Sequence, residues 1–457
     1  MLKSVSIENY RGFFATQKID FAVPDKIRPG SGLNLILGPN NTGKTSVVEA
    51  LMLDQDKKFK ESERHKDGNP VIKIENIAGN ITTITNLNNG SPVTILGGPH
   101  GIKLELIPSR RLWAQEFSGK WEFSTLIAES ARTDIRKGSM LNLGPVLSKI
   151  LSDDQLKAKF DSCMKIVVPH FTDWTIDTND NNSDYVKYKA GKNFHQANLL
   201  GDGIISLFRI VAHLVHDESS TFIIDEPELS LHPTAQKRLA FLISELSKSK
   251  QIIACTHSPY FVDWHDFVNG AKFIRLNKHA DAQCEARMLD NAKDYGAFIS
   301  RSLHEFQKPQ LLDTVAKEIL FYDKVLFTEG QEDVGLIRKW CEKSGKSIGA
   351  EMFGYGVGGE CNMKLFLEMA KDLNLKKVAA LYDSNSVSFS TDSSAYPDFL
   401  LKQLPTEDIR DKRNRCTNSC PYGKDREGTF SESGHLKQDR QNSFEKIILE
   451  LERFFSQ

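Results

Sequence analysis

Short apolar runs and helix-like stretches alternate along most of the chain. SVSIENY predicts a first strand, and the run LNLILG at 33–38 ends in glycine just before a stretch that begins TSVVEALML. A short apolar run bounded by glycine is typical of a buried strand, whereas the following spacing is helical. The beginning of the chain therefore predicts a strand, a tight loop and a helix in succession.

Residues 71–107 show a different pattern. The short runs VIKIENI, ITTITNL and GIKLELI are separated by Asn-Gly and Gly-Gly turns, which favour antiparallel pairing. Helical spacing follows at 122–165, NDNNSD at 179–184 predicts an exposed loop, and helix and strand alternate again from 199 to 276. We predict an α/β domain over 1–280, with a mixed sheet, an antiparallel flank and a helical insertion at about 122–198.

The last third of the chain has its own regular order. From residue 324, the strands KVLFTE, EMFGYGV and KKVAALYD alternate with two helical stretches, which predicts a small parallel sheet over 323–457. The segment 281–322 has helical spacing with a break at Pro309, and we expect a helical linker or dimerisation element there. SFEKIILELERFF predicts a final amphipathic helix.

The tight loop after the LNLILG strand has a recognisable composition. Residues 38–45, GPNNTGKT, fit the phosphate-loop pattern G-x-x-x-x-G-K-[ST] between a strand and a helix. Backbone amides of such a loop wrap phosphates, its lysine supplies a cation, and its hydroxyl ligates magnesium. This predicts ATP and Mg²⁺ as ligands, with Thr45 on the metal. The predicted nucleotide contacts in the loop are Gly38, Asn40, Asn41, Gly43, Lys44 and Thr45.

Three further segments complete the predicted ATP site. The strand TFIID ends in Asp225, a candidate magnesium ligand, and Glu226, a candidate for polarising the attacking water. His257 follows another apolar strand and is the candidate contact to the γ-phosphate. A turn at the start of a predicted helix is a further anion-binding arrangement. It consists of Gly201, Asp202 and Gly203.

Acidic residues also end two strands in the last third of the chain. KVLFTE ends in Glu329 and VAALYD in Asp383. The C-terminal ends of parallel strands meet at one edge of a sheet, so these carboxylates are expected to converge. Mg²⁺ or Mn²⁺ prefers such oxygen ligands and assists phosphodiester cleavage. Asp333 and Asn385 are additional ligand candidates, and an α/β domain without a metal site is the alternative.

The phosphate loop, the acidic strand end and the start IENYRGF resemble the ABC-type ATPases of the SMC, RecF and OLD group. The resemblance implies a head-to-head dimer in which the signature turn of one subunit closes on the ATP of the other. Gly201 stands where that group usually has serine and Ile204 where it often has glutamine, so we expect slow hydrolysis. Arg11 and Arg111 lie in segments similar to its arginine-bearing strands, although surface arginines explain them nearly as well.

Residues 324–390 resemble a Toprim domain, the metal-binding module of topoisomerases, DnaG-type primases and OLD nucleases. The resemblance includes the glycine-rich turn GYGVGG before the second helix. The usual Asp-x-Asp motif is here Asp383-Ser384-Asn385, which leaves one metal position open, with Ser384 and Ser386 as weaker ligands. OLD enzymes imply a later acid and a phosphate-stabilising lysine. The candidates are Glu407 or Asp408 for the acid, and Lys437, in competition with Lys412 and Lys424, for the lysine.

The order of these two signatures resembles the OLD family over nearly the whole chain. This implies an ATP-regulated DNA endonuclease of bacterial antiphage defence, Gabija-like or retron-associated. It also implies a homodimer or higher oligomer through the ATPase heads, with an operon-encoded protein or nucleic-acid partner. The alternative is an ATP-dependent DNA sensor or scaffold with a degenerate, non-cleaving Toprim site. A transporter ATPase subunit would leave the Toprim-like end unexplained.

Composition changes this picture in few places. Charged residues make up 26% of the chain, and no apolar run is long enough to cross a bilayer, so we expect no membrane span. The beginning of the chain lacks the layout of a secretion signal, which predicts a cytoplasmic protein. Seven scattered cysteines favour reduced thiols over disulfides. Cys416, Cys420 and His435 lack the second Cys/His pair that a zinc site needs.

A formal net charge of −1 argues against a surface that is strongly basic throughout. Contacts to DNA would then come from local patches. One such patch is the run Arg410, Lys412, Arg413 and Arg415, for which a solvated basic loop is an equally good interpretation.

Overall fold

The computed structural model describes residues 1–55, 59–60, 63–64, 68–86, 91–109, 143–178, 184–190, 193–196, 202–216, 221–305, 312–412 and 425–457. These residues form two units, Met1–Met288 and Leu289–Gln457. Both units are α/β, as the sequence predicts. No helix within the described ranges has the length and apolar character that a bilayer span requires.

The described residues of the first unit form three sheets. Its described strands are β1 Leu2–Glu8, β2 Gln17–Asp20, β3 Leu33–Leu37, β4 Val71–Asn76, β5 Ile81–Thr85, β6 Thr94–Leu96, β7 Leu104–Ile107, β8 Phe171–Thr178, β9 Asp184–Ala190, β10 Asn193–Gln196, β11 Thr221–Asp225, β12 Gln251–Cys255, β13 Lys272–Lys278 and β14 Cys284–Met288. Its described helices are α1 Lys44–Leu51, α2 Leu143–Ser152, α3 Asp154–Val167, α4 Asp202–His216, α5 Pro233–Ser247 and α6 Trp264–Val268.

The central sheet has the order β14-β13-β3-β12-β11-β7. Every residue of β3, β11 and β12 is buried, as expected for parallel strands covered on both faces. Asp225 pairs with Cys255, and Cys255 pairs with Ile36, so these three strands end level with one another. The loops that follow them therefore meet at a single edge of the sheet.

The antiparallel flank is the five-stranded sheet β2-β1-β4-β5-β6. GIKLELI, which the turn pattern placed in this flank, instead supplies β7, and β7 pairs in parallel with β11 in the central sheet. Of its four residues, Leu104, Leu106 and Ile107 are buried. A turn before a strand does not reveal its partner, because the partner here lies more than a hundred residues away.

The insertion is only partly helical. Helices α2 and α3 occur where helical spacing predicts them, but residues 171–196 contain the antiparallel sheet β10-β9-β8. Phe160, Phe171, Trp174, Tyr188 and Phe208 form an aromatic cluster that packs this sheet against α3 and α4. The residues at 122–142 of the predicted insertion lie outside the described part of the chain.

The second unit is built around the parallel sheet β16-β15-β17-β18. Its described strands are β15 Lys324–Thr328, β16 Glu351–Met352, β17 Lys377–Tyr382, β18 Leu400–Gln403, β19 Asp408–Arg410 and β20 Gly428–Phe430. Its described helices are α7 Asp294–His304, α8 Thr314–Lys317, α9 Gln331–Ser344, α10 Glu360–Asp372, α11 Phe389–Ala395 and α12 Gln441–Ser456.

The amphipathic helix predicted at the end of the chain is α12. Its buried stripe, Phe444, Ile448, Leu451 and Phe455, joins the core beside Leu326 of β15 and Ala379 of β17. The start of the predicted linker differs from the structure. Residues 284–288 form β14, which pairs antiparallel with β13, so the first unit extends to Met288 rather than 280.

Candidate functional site

The phosphate loop between β3 and α1 has an unusual backbone. Gly38, Asn41 and Gly43 have φ values of 131°, 66° and 100°. A side chain at Gly38 would place its Cβ 2.5 Å from the Leu276 carbonyl oxygen, so glycine is required there on two grounds. Successive turns of this kind form a concave nest of backbone N–H groups that suits anions. Asn40 and Asn41 are exposed and Thr45 is half-buried.

Lys44 is buried and lies over this loop. Its Nζ donates hydrogen bonds to the carbonyl oxygens of Gly38, at 2.8 Å, and Pro39, at 2.7 Å. Burial lowers the pKa of Lys44 to about 8, and the negative charges of Glu226, Glu228 and Asp225 oppose this shift. The ammonium group is therefore held by neutral carbonyls, which a phosphate can replace as partners.

The acidic end of β11 lies at the same edge of the sheet. Glu226 follows Asp225 with a left-handed backbone (φ 49°), and its N–H donates to the Cys255 carbonyl at 2.8 Å. This bond fixes the turn after β11 against the end of β12. Asp225 and Glu226 are thus placed beside the loop that carries Lys44, as the sequence predicts.

Glu228 is a residue of this site that sequence reasoning assigned no role. Its carboxylate accepts hydrogen bonds from Thr256 Oγ1 at 2.8 Å and from the His257 backbone N–H at 2.6 Å. Burial raises the pKa of Glu228, although these hydrogen bonds oppose the shift. Thr256 in turn donates its N–H to the Ile36 carbonyl at 3.1 Å. Glu228 therefore ties together the ends of β11, β12 and β3.

His257 is neutral at physiological pH. Burial and the charge of Lys44 lower its pKa to about 4, while a hydrogen bond to the Gly38 backbone and the charge of Asp225 oppose the shift. A neutral imidazole can donate a hydrogen bond to a phosphate oxygen without adding charge. His257 lies beside the phosphate loop, and its contact with the γ-phosphate stays a prediction.

The predicted signature turn is only partly described. Gly201 lies outside the described residues, Asp202 is the first residue of α4, and Gly203 packs against the backbone of Ser230. A Cβ at Gly203 would lie 2.6 Å from the Ser230 carbonyl oxygen. Glycine is therefore needed at 203 for close packing of α4 on the segment after β11.

The two arginine candidates have different outcomes. Arg11 forms ion pairs with Glu63, at 2.8 Å, and with Glu49 of α1, and its guanidinium lies over the Tyr10 ring. It holds the helix that begins at Lys44 rather than standing free on the surface. Arg111 lies outside the described residues.

Glu329 and Asp383 come together in the second unit. They follow β15 and β17, which are parallel neighbours with Thr328 opposite Leu381. The Asp383 N–H donates to Glu329 Oε1 at 2.9 Å. The two carboxylates therefore share one edge of one sheet, as the strand-end argument predicts.

Several negative charges converge on this edge. Burial raises the pKa of Asp383 to about 8, and the charges of Glu329, Asp333 and Asp408 add to the shift. Burial and the same neighbours, Glu329 and Asp408, raise the pKa of Asp333 to about 7. Burial also raises the pKa of Glu329, with contributions from Glu360 and Asp408. A positive charge at this edge would relieve this repulsion.

A buried carboxylate oxygen of the cluster has no hydrogen bond among the described residues. Asp383 Oδ1 is buried and has no partner within the described residues. Nor do any three His, Cys, Asp or Glu side chains there form a ready-made metal cage. Mg²⁺ is usually held by one or two carboxylates together with waters and phosphate oxygens, so the pair Glu329 and Asp383 fits that ion.

The other ligand candidates are placed less directly. Asp333 is buried near the start of α9, where its Oδ2 accepts the Gly330 N–H at 2.8 Å. Asn385 is exposed in the turn after Asp383. Ser386 Oγ donates to Glu360 at 2.6 Å, and the Ser384 N–H donates to the Thr406 carbonyl at 3.0 Å. Asp333 thus orders the turn that carries Glu329, and the serines order the turn after Asp383.

Between the two later acids, the structure favours Asp408. Asp408 is buried and Glu407 is exposed. Asp408 also influences Glu329, Asp333 and Asp383 electrostatically. It therefore belongs to the acidic edge.

The three candidate lysines lie in different surroundings. Lys412 Nζ is 2.7 Å from Asp408, and its charge lowers the pKa values of Asp333 and Asp383. Lys437 Nζ instead donates to Asp411 at 2.7 Å. Lys424 lies outside the described residues. The geometry thus places Lys412, rather than the preferred Lys437, beside the acidic edge.

The basic run and the cysteines add little to either site. Arg410 and Lys412 both pair with Glu332, and Arg413 and Arg415 lie outside the described residues, as do Cys416 and Cys420. His435 Nδ1 lies 3.0 Å from Ser433 Oγ. The described cysteines are free thiols, as expected.

The glycine-rich turn before α10 gives a first prediction. Gly356 has φ 84°, and a Cβ there would lie 2.7 Å from the Gly330 carbonyl. Gly354 has φ 46° with no atom near its Cβ position. We expect Gly356→Ala to destabilise the second unit by about 2 kcal/mol or more, and Gly354→Ala by about 1 kcal/mol. Urea unfolding of both variants measures this, and equal losses would contradict the close approach to Gly330.

The raised pKa values of Asp333 and Asp383 give a second prediction. An unfolded Asp titrates near pH 3.9, so between about pH 4 and pH 8 the folded metal-free chain binds protons that the unfolded chain does not. The contribution of these two carboxyl groups to the free energy of unfolding is therefore fully present below the unfolded pKa. It is lost as the pH rises through the folded pKa values of about 7 to 8. We expect the melting temperature in EDTA to fall over this range, and Asp383→Asn to flatten the fall. A melting temperature that rises, or a variant that follows the parent, would contradict the acidic cluster.

Two family models match segments of the first unit. The family model "AAA ATPase domain" matches residues 1–95, which include the phosphate loop, and the model "AAA domain, putative AbiEii toxin, Type IV TA system" matches 120–263, which include Asp225 and Glu226. An OLD nuclease from Thermus scotoductus is 33% identical over 134 residues, which cover 29% of this chain and 24% of that protein.

Over that part of its length, the chain is similar to an OLD nuclease. Two further proteins similar to this chain are endonuclease GajA of Bacillus cereus, 25% identical over 161 residues (34% of this chain, 25% of GajA), and Septu protein PtuA of Bacillus thuringiensis, 38% identical over 82 residues (18% and 20%). The matched segments span about a quarter or less of these relatives' own lengths.

Two solved structures that resemble part of this chain are SMC head domains. An SMC head domain from Thermotoga maritima has a TM-score of 0.40 and 13% identity, covering 63% of this chain and 99% of that chain. An SMC head bound to the C-terminal winged-helix domain of ScpA has a TM-score of 0.40 and 14% identity, with coverage of 63% and 97%.

Proposed function

We propose that this chain binds and hydrolyses ATP in its first unit and cleaves DNA with Mg²⁺ or Mn²⁺ in its second, Toprim-like unit. The observation that carries the proposal is the pair Glu329 and Asp383 at adjacent parallel strand ends, with Asp383 Oδ1 buried and unpartnered among the described residues. The relatives named OLD nuclease and endonuclease GajA support cleavage. A role in antiphage defence is part of the same proposal, and the Septu relative supports it.

In the ATP site, each residue has a separate task. Lys44 exchanges the Gly38 and Pro39 carbonyls for phosphate oxygens, and the backbone of the loop wraps the phosphates. Thr45 and Asp225 would hold Mg²⁺. Glu226 accepts a proton from the attacking water, and neutral His257 donates a hydrogen bond to the γ-phosphate. Glu228 keeps the turns after β11 and β12 in register.

In the second unit, Glu329 and Asp383 would hold the divalent ion, and Asp408 lies at the same acidic edge. An ion bound there supplies an activated water and stabilises the charge on the scissile phosphate. Asp333 keeps the turn after Glu329 fixed through the Gly330 N–H. Lys412, which neutralises Asp408, is placed to move onto a phosphate oxygen, and Lys437 remains the candidate from sequence order.

A second function has one observation in its favour. Asn385 is uncharged and exposed where an acid is usual, which suits a DNA sensor or scaffold that does not cleave. In either case we propose a homodimer or higher oligomer through the ATPase heads and DNA as the partner.

Incubation with DNA distinguishes the two functions. Purified chain is mixed with supercoiled, linear and single-stranded DNA in Mg²⁺ or Mn²⁺, with and without ATP. The proposal predicts nicked or cut products that require the ion and disappear in EDTA. Binding of DNA without cleavage under every condition would favour the sensor.

A further inference from the structure

Glu360 connects the two turns of the acidic edge, a role that the proposed function leaves unassigned. It is the first residue of α10, directly after the glycine-rich turn. Its Oε1 accepts a hydrogen bond from Ser386 Oγ at 2.6 Å and another from the Ser388 backbone N–H at 2.6 Å. Both donors belong to the turn that follows Asp383, so the side chain of Glu360 reaches across to the end of β17.

The backbone just before Glu360 is attached to the other strand end. The Gly359 N–H donates to the Glu329 carbonyl at 2.8 Å, and the Val357 N–H donates to the Thr328 carbonyl at 2.8 Å. Asn362 Nδ2 ties the same segment to α10 through the Val357 carbonyl at 2.8 Å. The segment before Glu360 is therefore anchored to the end of β15, and the Glu360 carboxylate is anchored to the turn after β17.

Two other hydrogen bonds hold the start of the turn after Asp383. The Ser384 N–H donates to the Thr406 carbonyl at 3.0 Å, and Gln403 Nε2 donates to the Ser384 carbonyl at 3.2 Å. Ser384 and Asn385 are exposed, and Val387 is 87% exposed. The Ser386 N–H closes the turn on the Asp383 carbonyl at 3.1 Å, so a displacement of Ser386 would displace Asp383. Beyond Ser384, the hydrogen bonds to Glu360 hold Ser386 and Ser388 in place.

We propose that Glu360 is a positioning residue of the divalent-ion site, which sets the separation of Glu329 and Asp383 by holding Ser386 and Ser388. The inference rests on the proposed function and concerns the protein's affinity for the ion. Groups that orient metal ligands through hydrogen bonds typically contribute about 10- to 100-fold to metal affinity or activity. Glu360 acts through the turn, without contacting the ion.

Calorimetric titration of the full chain with Mn²⁺ tests this. We expect Glu360→Gln, a weaker acceptor, to weaken Mn²⁺ binding by about 10-fold, and Ser386→Ala to weaken it less because the Ser388 bond remains. Glu360→Asp keeps the charge but loses the reach, so it should weaken binding as well. Glu368→Gln removes a charge from the same helix away from the turn, and it should bind Mn²⁺ like the parent.

A double-mutant cycle gives the decisive readout. If Glu360 acts through Ser386, the combined Glu360→Gln and Ser386→Ala variant should lose less than the sum of the two separate losses, with a melting temperature close to the parent's. Additive losses, or a loss from Glu360→Gln as large as that from Asp383→Asn, would show direct ligation and overturn the proposal. If Glu360→Gln bound Mn²⁺ as tightly as Glu368→Gln does, the proposal would also be overturned.

Failure of the proposed function itself looks different. In that case Glu329→Gln and Asp383→Asn would bind Mn²⁺ as the parent does. No ion would then be bound by the two carboxylates whose separation Glu360 sets. Loss of binding in those two variants, with no change in Glu360→Gln, would leave the function standing and remove only the role of Glu360.

Discussion

Replacing Glu329 by Gln, or Asp383 by Asn, is expected to reduce ion-dependent DNA cleavage at least about 100-fold, since stabilisation of charge by a bound metal ion is worth several kcal/mol. Each substitution keeps the size of the side chain but removes a charged ligand. Asp383→Asn also lessens repulsion among buried carboxylates, so the metal-free variant should melt at a higher temperature than the parent near pH 8. The rate of nicking of supercoiled DNA in Mn²⁺ measures the first effect.

The matched control for these variants is Glu351→Gln. Glu351 is exposed at the beginning of β16, opposite Val325 and away from the C-terminal strand ends, so its replacement should leave nicking unchanged. Hydrolysis of ATP should also persist in Glu329→Gln, since that site lies in the other unit. Nicking by Glu329→Gln and Asp383→Asn at the parental rate would remove the cleavage mechanism.

Replacing Lys44 by Ala should weaken ATP binding about 10- to 100-fold. A hydrogen bond to a charged group contributes about 1.5–3 kcal/mol, and each 1.4 kcal/mol is tenfold in affinity. The truncation also leaves the Gly38 and Pro39 carbonyls without their present partner. Fluorescence titration with a labelled ATP analogue gives the dissociation constants.

Lys248→Ala is the control for the loop variant. Lys248 follows α5 and pairs at the surface with Glu245, so it carries the same charge away from the phosphate loop. Its affinity for ATP should equal the parent's. ATP binding by Lys44→Ala that matches Lys248→Ala would contradict the assignment of the loop.

The sequence predicts the features whose cause is local. The phosphate loop needs glycine at left-handed positions, and the strands on either side are continuous apolar runs, so GPNNTGKT identifies both the loop and its flanks. The positions of Asp225 and Glu329 follow in the same way. Each comes directly at the end of a buried strand, and parallel strands place their ends at one edge.

Pairing between distant segments is not encoded locally. GIKLELI has the composition of a hairpin strand, yet β7 pairs in parallel with β11. Strands β8, β9 and β10 lie within the predicted helical insertion but form a sheet, whose aromatic residues pack on Phe160 and Phe208. The antiparallel strand β14 extends the first unit beyond its predicted end for the same reason.

The finer chemistry of both sites also depends on tertiary contacts. Glu228 stands three residues after Asp225 in the sequence, but only the fold shows that it binds Thr256 and His257. Sequence order made Lys437 the preferred lysine, whereas the pairing of Lys412 with Asp408 becomes visible only when β19 is placed beside the acidic edge. The alternation of apolar and polar residues carries no information on either contact.

The most direct measurement of the central proposal is the position of a bound ion. Crystals of the chain grown with Mn²⁺ would be measured at the manganese absorption edge. We predict an anomalous peak within coordination distance of carboxylate oxygens of both Glu329 and Asp383, and no peak there in Asp383→Asn. A fully occupied ion elsewhere in the second unit, or none at all, would contradict the proposed site.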